Sequence, residues 1–277
     1  MGLGIGLAAC VSTWPTVAPQ PYHRTASIEG AEPVGADECE VCHEDVHGHA
    51  PAPAYHEDCE ACHGPGSVHA DSEEPADIRY PSDSDCLACH DSRRSHLDWT
   101  GADHARGDVA CSDCHEPHSQ EPKQIRRVAS GAALVRHAGA TTQLCASCHV
   151  DVASRLELPS HHPISEGMID CTDCHSPHES RAARLGPATE RCSGCHQDHA
   201  GPWVFEHAPV AEDCGYCHAP HGAVAEALLE TSQPGACLSC HTLPLLGAGH
   251  DPAAFVSRCT DCHSAIHGSY SDPHLRR

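Results

Sequence analysis

The sequence predicts a mostly irregular, elongated chain with short α-helices and negligible β-sheet, whose core is filled by bound cofactors. Three observations predict this fold class. Aromatic residues make up only 4% of the 277 residues, glycine and proline contribute 22 residues each, and Cys-x-x-Cys-His occurs ten times. With so few large apolar side chains, a chain of this length cannot bury an ordinary hydrophobic core of its own.

The ten Cys-x-x-Cys-His motifs use 20 of the 21 cysteines and leave Cys10 over. This run is typical of covalent haem c attachment. Positions i, i+3 and i+4 of a helical turn share one face, so one turn presents both cysteines and the histidine to a single porphyrin. The predicted attachment residues are Cys39, Cys42, Cys59, Cys62, Cys86, Cys89, Cys111, Cys114, Cys145, Cys148, Cys171, Cys174, Cys192, Cys195, Cys214, Cys217, Cys237, Cys240, Cys259 and Cys262.

Zinc binding and disulfides are the alternatives for these cysteines. C-x-x-C pairs also build zinc sites, but that does not explain why a histidine follows all ten pairs. A C-x-x-C disulfide closes too small a loop to act as a framework. Ten covalently bound haems c are therefore predicted, about one for every 28 residues. Their proximal iron ligands would be His43, His63, His90, His115, His149, His175, His196, His218, His241 and His263.

The motifs recur in pairs, which predicts five modules. Residues 1–9 are interpreted as a truncated signal or lipoprotein leader and residues 10–37 as a flexible tether. Residues 38–277 form the predicted cytochrome domain. Its modules lie at approximately 38–80, 81–125, 140–185, 186–230 and 231–270, and a short helix is expected over 125–135 in the longest gap.

An acidic residue precedes the first cysteine in half of the motifs. Carboxylates in this place accept hydrogen bonds from the free N–H groups of a helix start. The residues expected to cap in this way are Glu38, Asp58, Asp85, Asp170 and Asp213.

Each module supplies two histidines beyond its proximal pair. One follows the second motif, three times as C-x-x-C-H-x-Pro-His, and the other lies between the motifs, often as His-x-Pro. Because the chain has only Met1 and Met168, histidine is expected at both axial positions, with low redox potentials. The predicted distal ligands are His49, His69, His104, His118, His161, His178, His207, His221, His250 and His267.

Several distal positions have competitors, and the sequence does not say which histidine serves which iron. His56 competes with His49, His96 with His104, and His162 with His161. A histidine after one motif can also reach the iron of a neighbour. Surface positions are favoured for His23, His47, His137, His199 and His274.

The net charge and the cellular compartment limit which partners the protein can bind. A formal charge of −23 excludes nucleic acid as a binding partner, because the phosphate backbone is also negative. Haem c attachment implies a site outside the cytoplasm, and no apolar stretch reaches 18 residues. Leu7-Ala8-Ala9-Cys10 resembles a bacterial lipobox, which predicts lipidation of Cys10; the alternative is a stray cysteine in a clipped secretory signal.

The paired motifs with C-x-x-C-H-x-Pro-His endings, such as Cys214 to His221, resemble the doubled C-x-x-C-H cytochromes. Ten motifs in fewer than 300 residues resemble the decahaem MtrA/DmsE type over roughly residues 38 to 270. The resemblance implies a chain of closely spaced bis-histidine haems in the bacterial periplasm or inside an outer-membrane β-barrel. Such proteins pass electrons between the periplasm and the cell exterior.

Three functions remain open at this point. The favoured one is an electron conduit with redox partner proteins, an outer-membrane porin and an outer-face multihaem cytochrome, in which the membrane is reached only through a lipid anchor or the porin. The second is a tethered shuttle or polymeric wire without a porin. The third is a haem reductase, which needs an open iron position that the surplus of histidines argues against. An electron carrier without catalytic residues is therefore predicted.

Overall fold

The computed structural model describes residues 27–47, 58–90, 99–118, 135, 137–179, 188–241 and 249–276. Within these ranges the chain forms twelve α-helices of four to nine residues. They are α1 (Ala36–Glu40), α2 (Glu44–His47), α3 (Cys59–His63), α4 (Ser67–Ser72), α5 (Asp83–His90), α6 (Asp103–Arg106), α7 (Cys111–Cys114), α8 (Ala140–Cys148), α9 (Val150–Arg155), α10 (Ala188–Ser193), α11 (Ala208–Glu212) and α12 (Gly235–Leu238).

Single 3₁₀ turns and one very small sheet complete the regular structure of the described segments. The sheet pairs β1 (Phe205–Glu206) with β2 (Gly268–Ser269) in antiparallel register. The 3₁₀ turns are Pro75–Asp77, Trp99–Gly101, Cys171–Asp173, Gln197–His199, Cys214–Tyr216, Glu226–Leu228, Pro252–Val256 and Cys259–Asp261. The predicted fold class, mostly irregular with short helices and negligible sheet, is confirmed.

The helical turns coincide with the Cys-x-x-Cys-His motifs, as the spacing predicts. The backbone N–H of the motif histidine donates to the carbonyl of the first cysteine, four residues earlier, over 2.8–3.0 Å. This bond closes one turn, which places both cysteines and the histidine on one face. It is made by His43, His115, His149, His175, His196, His218, His241 and His263.

Two of the five acidic residues expected to cap do so. The carboxylates of Asp58 and Asp213 accept from the backbone N–H two residues on. Glu38 instead lies inside α1. Asp85 lies inside α5 and reaches back to the N–H of Ser82 over 2.7 Å.

Asp170 has a different role again. Its carboxylate accepts from the hydroxyl of Thr142 over 2.6 Å, and its own backbone N–H donates to Asp173. Thr142 belongs to α8 and Asp170 precedes the next motif, so the bond joins the two motifs of the third module rather than capping a turn. A local rule about helix starts does not anticipate a bond between residues this far apart in sequence.

Protein side chains build only a small core in the described part of the chain. One cluster forms around α8 and α9, and four of its six members have at most three side-chain carbon atoms. The largest side chains that are fully buried are Val135 and Thr142. This cluster is too small to organise the whole chain, as the composition predicts. Its members are Val135, Ala138, Ala146, Ala153, Leu156 and Ile164, with Ile169 packed against them.

Residues just ahead of the expected boundary at residue 38 contact the first module. Glu32 and Ser67 exchange two hydrogen bonds, and the Glu60 carboxylate accepts from the backbone N–H groups of Val34 and Gly35. The last residues of the predicted tether are therefore attached to the first module. Cys10, the rest of the tether and the predicted helix over 125–135, apart from Val135, lie outside the described residues.

Candidate functional site

Pairs of histidine rings recur along the chain at nearly constant separation. Within the described residues, nine motif histidines face a second histidine, with ring centroids 5.8–6.2 Å apart. With a metal–nitrogen bond of about 2.0 Å and a ring nitrogen about 1.2 Å from its centroid, two imidazoles on one metal place their centroids roughly 6.3 Å apart. The nine separations therefore match the spacing of two axial ligands across one iron.

The nine pairs have the motif histidine on one side and a second histidine on the other. Seven pairs have ring planes 19–31° apart, and the pairs of His149 and His196 are steeper, at 59° and 57°. The pairs are His43–His69, His63–His118, His115–His178, His149–His104, His175–His221, His196–His162, His218–His267, His241–His207 and His263–His250.

The pairing follows a rule that crosses module boundaries. The second motif of a module faces the histidine that follows the second motif of the next module, as in His63–His118. The first motif of a module faces the histidine between the two motifs of the preceding module, as in His149–His104. Among the nine described pairs, those of His43 and His263, at the two ends, lie within their own module. Neighbouring modules are thus interlocked, because the other seven pairs join histidines of two modules.

Hydrogen bonds orient many of these rings. The Nδ1 atoms of six paired histidines bond to backbone carbonyls over 2.6–3.3 Å. A bond from Nδ1–H fixes the tautomer and leaves Nε2 as the metal-binding atom, which is the usual arrangement of histidine ligands. The six bonds are His63 to Arg79, His69 to Glu74, His104 to Pro177, His162 to Pro220, His218 to Ala227 and His263 to His274.

The proline of the C-x-x-C-H-x-Pro-His ending has a role here. Pro177 and Pro220 present the carbonyls that accept from His104 and His162, respectively. Ile266 stands in the equivalent place beside His207, although that contact falls short of hydrogen-bond geometry and leaves the buried Nδ1 without a close partner. The residue before one facing histidine therefore lies against the facing histidine of the next pair.

The structure places His162, not the predicted His161, opposite His196. Both ring nitrogens of His161 are engaged, Nδ1 with the carbonyl of Leu158 and Nε2 with the Glu166 carboxylate. His162 bonds only through Nδ1, and its ring lies 6.0 Å from that of His196. Adjacent histidines point in different directions, so spacing alone did not separate them.

Of the ten predicted distal histidines, all except His49 and His161 face a motif histidine. His49 and its competitor His56 lie outside the described residues, as does His96. The motif histidine His90 ends α5 and lines the same cavity as the others.

Burial favours the neutral imidazole that metal binding requires. Burial lowers the pKa values of His63, His207 and His221, and lowers the pKa of His267 to about 4. A neutral ring keeps a lone pair for a metal at neutral pH, whereas an imidazolium does not.

Contacts between cysteines show the order of the motifs in space. Within each module the first cysteines of the two motifs approach each other, as the thiols of Cys86 and Cys111 do in hydrogen-bonding contact. Between modules the trailing cysteines lie close enough to interact, as for Cys114 and Cys148. The sites therefore succeed one another in space in sequence order. Hydrogen-bonding contacts within modules join Cys39–Cys59, Cys86–Cys111, Cys145–Cys171, Cys192–Cys214 and Cys237–Cys259. Between modules, the thiols that influence each other electrostatically are Cys62–Cys89, Cys114–Cys148, Cys174–Cys195 and Cys217–Cys240.

One continuous cavity of about 6230 Å³ connects the sites, and every motif cysteine and every paired histidine lines it. Divided among ten motifs, this is about 620 Å³ each, which is the size of a small-molecule site. The described residues hold no cluster of three or more His, Cys, Asp or Glu side chains that converge on a point. A flat group attached at its edges fits these side chains better than a single zinc ion does.

Arg79 is a site residue that sequence reasoning missed. Its guanidinium bonds to the Asp85 carboxylate over 2.7 Å and to the Cys62 carbonyl over 2.8 Å, while its own carbonyl accepts from His63. It thus joins the second motif of the first module to α5 of the next. Arg79 and Asp85 are six residues apart on either side of Pro81, which is not a helical spacing, so no local pattern signals the pair.

No helix along the described segments is both long and apolar enough to cross a bilayer.

Comparisons with known proteins agree with this geometry. A family model for the doubled CXXCH motif matches residues 104–154, 161–201 and 207–243. The chain is also 31% identical, over 317 aligned positions, to the multihaem cytochrome MtrA of Shewanella baltica (strain OS185). That alignment covers 97% of this chain and 90% of the relative.

Proposed function

Because this chain belongs to the MtrA family of multihaem c-type cytochromes, we propose that it carries ten bis-histidine haems c and conducts electrons along them at or across the bacterial outer membrane. Family membership supports haem c as the cofactor and electron transfer as the function. The count of ten, the bis-histidine ligation, the residue assignments and the membrane setting belong to the proposal.

The observation that carries the proposal is the recurrence of one histidine pair per motif at iron-spanning distance. Nine such pairs occur in the described residues, and cysteines of successive motifs lie near each other within and between modules. Evenly built sites in a continuous line suit a relay, in which each site exchanges electrons with its neighbours.

Each residue type has a simple task in this relay. Haem c supplies a reversible one-electron iron couple when it is bound. The motif cysteines would hold the ring edges through thioether bonds, and the motif histidine would hold the iron from one face. The facing histidine would close the other face, which leaves no position for a substrate and favours electron carriage over catalysis.

The pairing rule extends to the tenth site. By this rule, His90, in the first motif of the second module, should face the histidine between the two motifs of the first module. His49 fits that place, because it precedes Cys59 by ten residues and stands in a His-x-Pro sequence, as His207 and His250 do. We therefore assign His49 to the iron held by His90.

The partner and the location rest on family analogy. In the proposed arrangement, the domain from residue 38 onward lies within an outer-membrane porin. A periplasmic redox protein would give electrons at one end, and an outer-face multihaem cytochrome would take them at the other. Lipidation of Cys10, the first residue of the tether over 10–37, would add a membrane anchor. A porin-independent shuttle or wire is the alternative.

The test is the native mass of the haem-loaded protein extracted from outer membranes in mild detergent, with an intact mass of the same chain. We expect one copy bound to a β-barrel protein and a chain mass that includes ten haems. A lone lipidated monomer or a homopolymer would contradict the porin. A chain mass with fewer haems would contradict the count.

A further inference from the structure

One histidine that belongs to no ligand pair lies between two of the proposed sites. His199 ends the 3₁₀ turn after the seventh motif, and its ring centroid is 4.4 Å from that of His267. Its ring is also nearly parallel to that of His196, with an angle of 18° between the planes and centroids 6.4 Å apart. His267 is the histidine that faces His218 at the eighth site, and His196 is the motif histidine of the seventh.

The pairing rule leaves His199 without a ligand position. The first motifs of the third, fourth and fifth modules each face an inter-motif histidine of the preceding module, and His162 fills that place for His196. His104 and His207 fill the same place for the first motifs of the third and fifth modules. His199 has no counterpart in the other pairs, so the repeat does not account for it.

The contact between His199 and His267 is close enough to restrict ring rotation. Aromatic rings at about 4.5–7 Å interact in offset or tilted arrangements, and these two rings are tilted by 32°. The terminal torsion of a histidine is otherwise broad. A neighbouring ring therefore sets the plane of His267, which is now within 20° of the plane of His218.

We propose that His199 is a positioning residue, whose ring packs on His267 and fixes the plane of the distal ligand at the eighth haem. This inference rests on the proposed bis-histidine ligation. Residues outside the ligand set orient histidine ligands and tune the metal they bind. Since the seventh and eighth motifs also touch through Cys192 and Cys214, one residue contacts the ligand sets of two adjacent sites.

The angle between two axial imidazole planes determines the EPR spectrum of low-spin ferric haem, so the proposal has a direct readout. The fully haem-loaded native protein is compared with His199→Ala and His199→Phe by low-temperature EPR and potentiometric titration. The EPR signal that is present in the native protein and lost in His267→Met is assigned to the eighth haem. His137→Ala is the control, because His137 is also exposed and makes no ring contact with a paired histidine in the described structure.

We expect His199→Ala to move the EPR signal and the potential of one haem, the one assigned by His267→Met. His199→Phe should keep both close to native, because a phenyl ring preserves the packing. His137→Ala should change neither.

Three results would overturn the proposal. The EPR signal and potential of the eighth haem could stay unchanged in His199→Ala, or His199→Phe could shift them as much as His199→Ala does. A high-spin iron at the seventh site in His199→Ala would instead make His199 a ligand. A failure of the bis-histidine proposal is a separate result, because it would already show in the native spectrum as missing low-spin signals.

Discussion

At the scale of single residues, hydrogen bonding separates two adjacent histidines. His161 uses both ring nitrogens within the protein, whereas His162 bonds through Nδ1 and its ring lies 6.0 Å from that of His196. Replacing His162 with methionine would put a thioether opposite His196, and methionine ligation raises haem potential. We expect His162→Met to shift one haem to a more positive potential in a potentiometric titration.

The matched variant is His161→Met, one residue away. It should leave all haem potentials at their native values. A shift in His161→Met with none in His162→Met would reverse the assignment and restore the choice made from spacing.

A glycine beside a distal histidine carries the second prediction. Gly222 has φ +146°, and an added Cβ would collide with the carbonyl oxygen of Arg155 at the end of α9. Gly222→Ala should therefore displace His221 from His175 and destabilise the protein by about 1–3 kcal/mol. High-spin iron in the resting spectrum and the urea midpoint would report the two effects.

The control for this prediction is Gly249→Ala. Like Gly222, which follows His221, Gly249 is the direct neighbour of a paired histidine, because it precedes His250. An added Cβ at Gly249 would meet nothing within 4 Å. We expect native spectra and a native urea midpoint. Equal effects of the two substitutions would show that the close approach at Gly222 is unimportant.

At the scale of elements, Arg79 and α5 form the joint between the first two modules. Burial opposes ionisation of Asp85, but the hydrogen bonds from Ser82 and Arg79 and the Arg79 charge outweigh it and lower the carboxyl pKa to about 2. A lowered folded-state pKa stabilises the protein above the unfolded pKa of about 4, and this stabilisation is lost as the pH falls toward 2. Asp85→Asn should therefore cost about 2 kcal/mol at pH 7, and less at pH 3.

Urea unfolding at the two pH values checks this, and Asp103→Asn is the control. Asp103 and Arg106 form an exposed pair at 3.8 Å, and such pairs contribute little. An Asp85→Asn penalty that stays constant between pH 7 and pH 3 would contradict the ionic origin of the effect.

At the scale of the whole molecule, the protein core is too small to hold the chain together. The single cluster around α8 and α9 has six buried members, and the longest helix in the described segments has nine residues. Isolated helices of this length are not stable in water. We expect chain produced without haem attachment to lose most of its helical signal in far-UV circular dichroism. A native-like spectrum of the haem-free chain would contradict a core built from cofactors.

The features that sequence reasoning predicted are local ones. Cys-x-x-Cys-His fixes three side chains on one turn, and the structure shows the closing hydrogen bond in motif after motif, as at His115 and His263. The scarcity of aromatic residues and the abundance of glycine and proline predicted short helices and a small protein core. The helical turn depends on neighbours within about five residues, and the small core on overall composition, so the sequence alone determines both.

The features that the spacing of residues along the sequence did not predict depend on contacts between distant segments. The facing histidines of His63 and His118 belong to different modules, and the carbonyl of Pro220 orients His162 from another module again. Likewise, Arg79 meets Asp85 across a turn, and no periodic pattern records that contact.

The sequence by itself thus determined that this protein binds haem c along its length and has histidines enough for two per iron. Only the tertiary structure decided which histidine faces which, that the ring of His162 rather than His161 lies opposite His196, and that histidines of neighbouring modules face each other. The physical reason is that a covalent attachment motif acts within one helical turn. An axial pair instead forms wherever two backbone segments bring their rings to about 6 Å, and packing of the whole chain sets that distance.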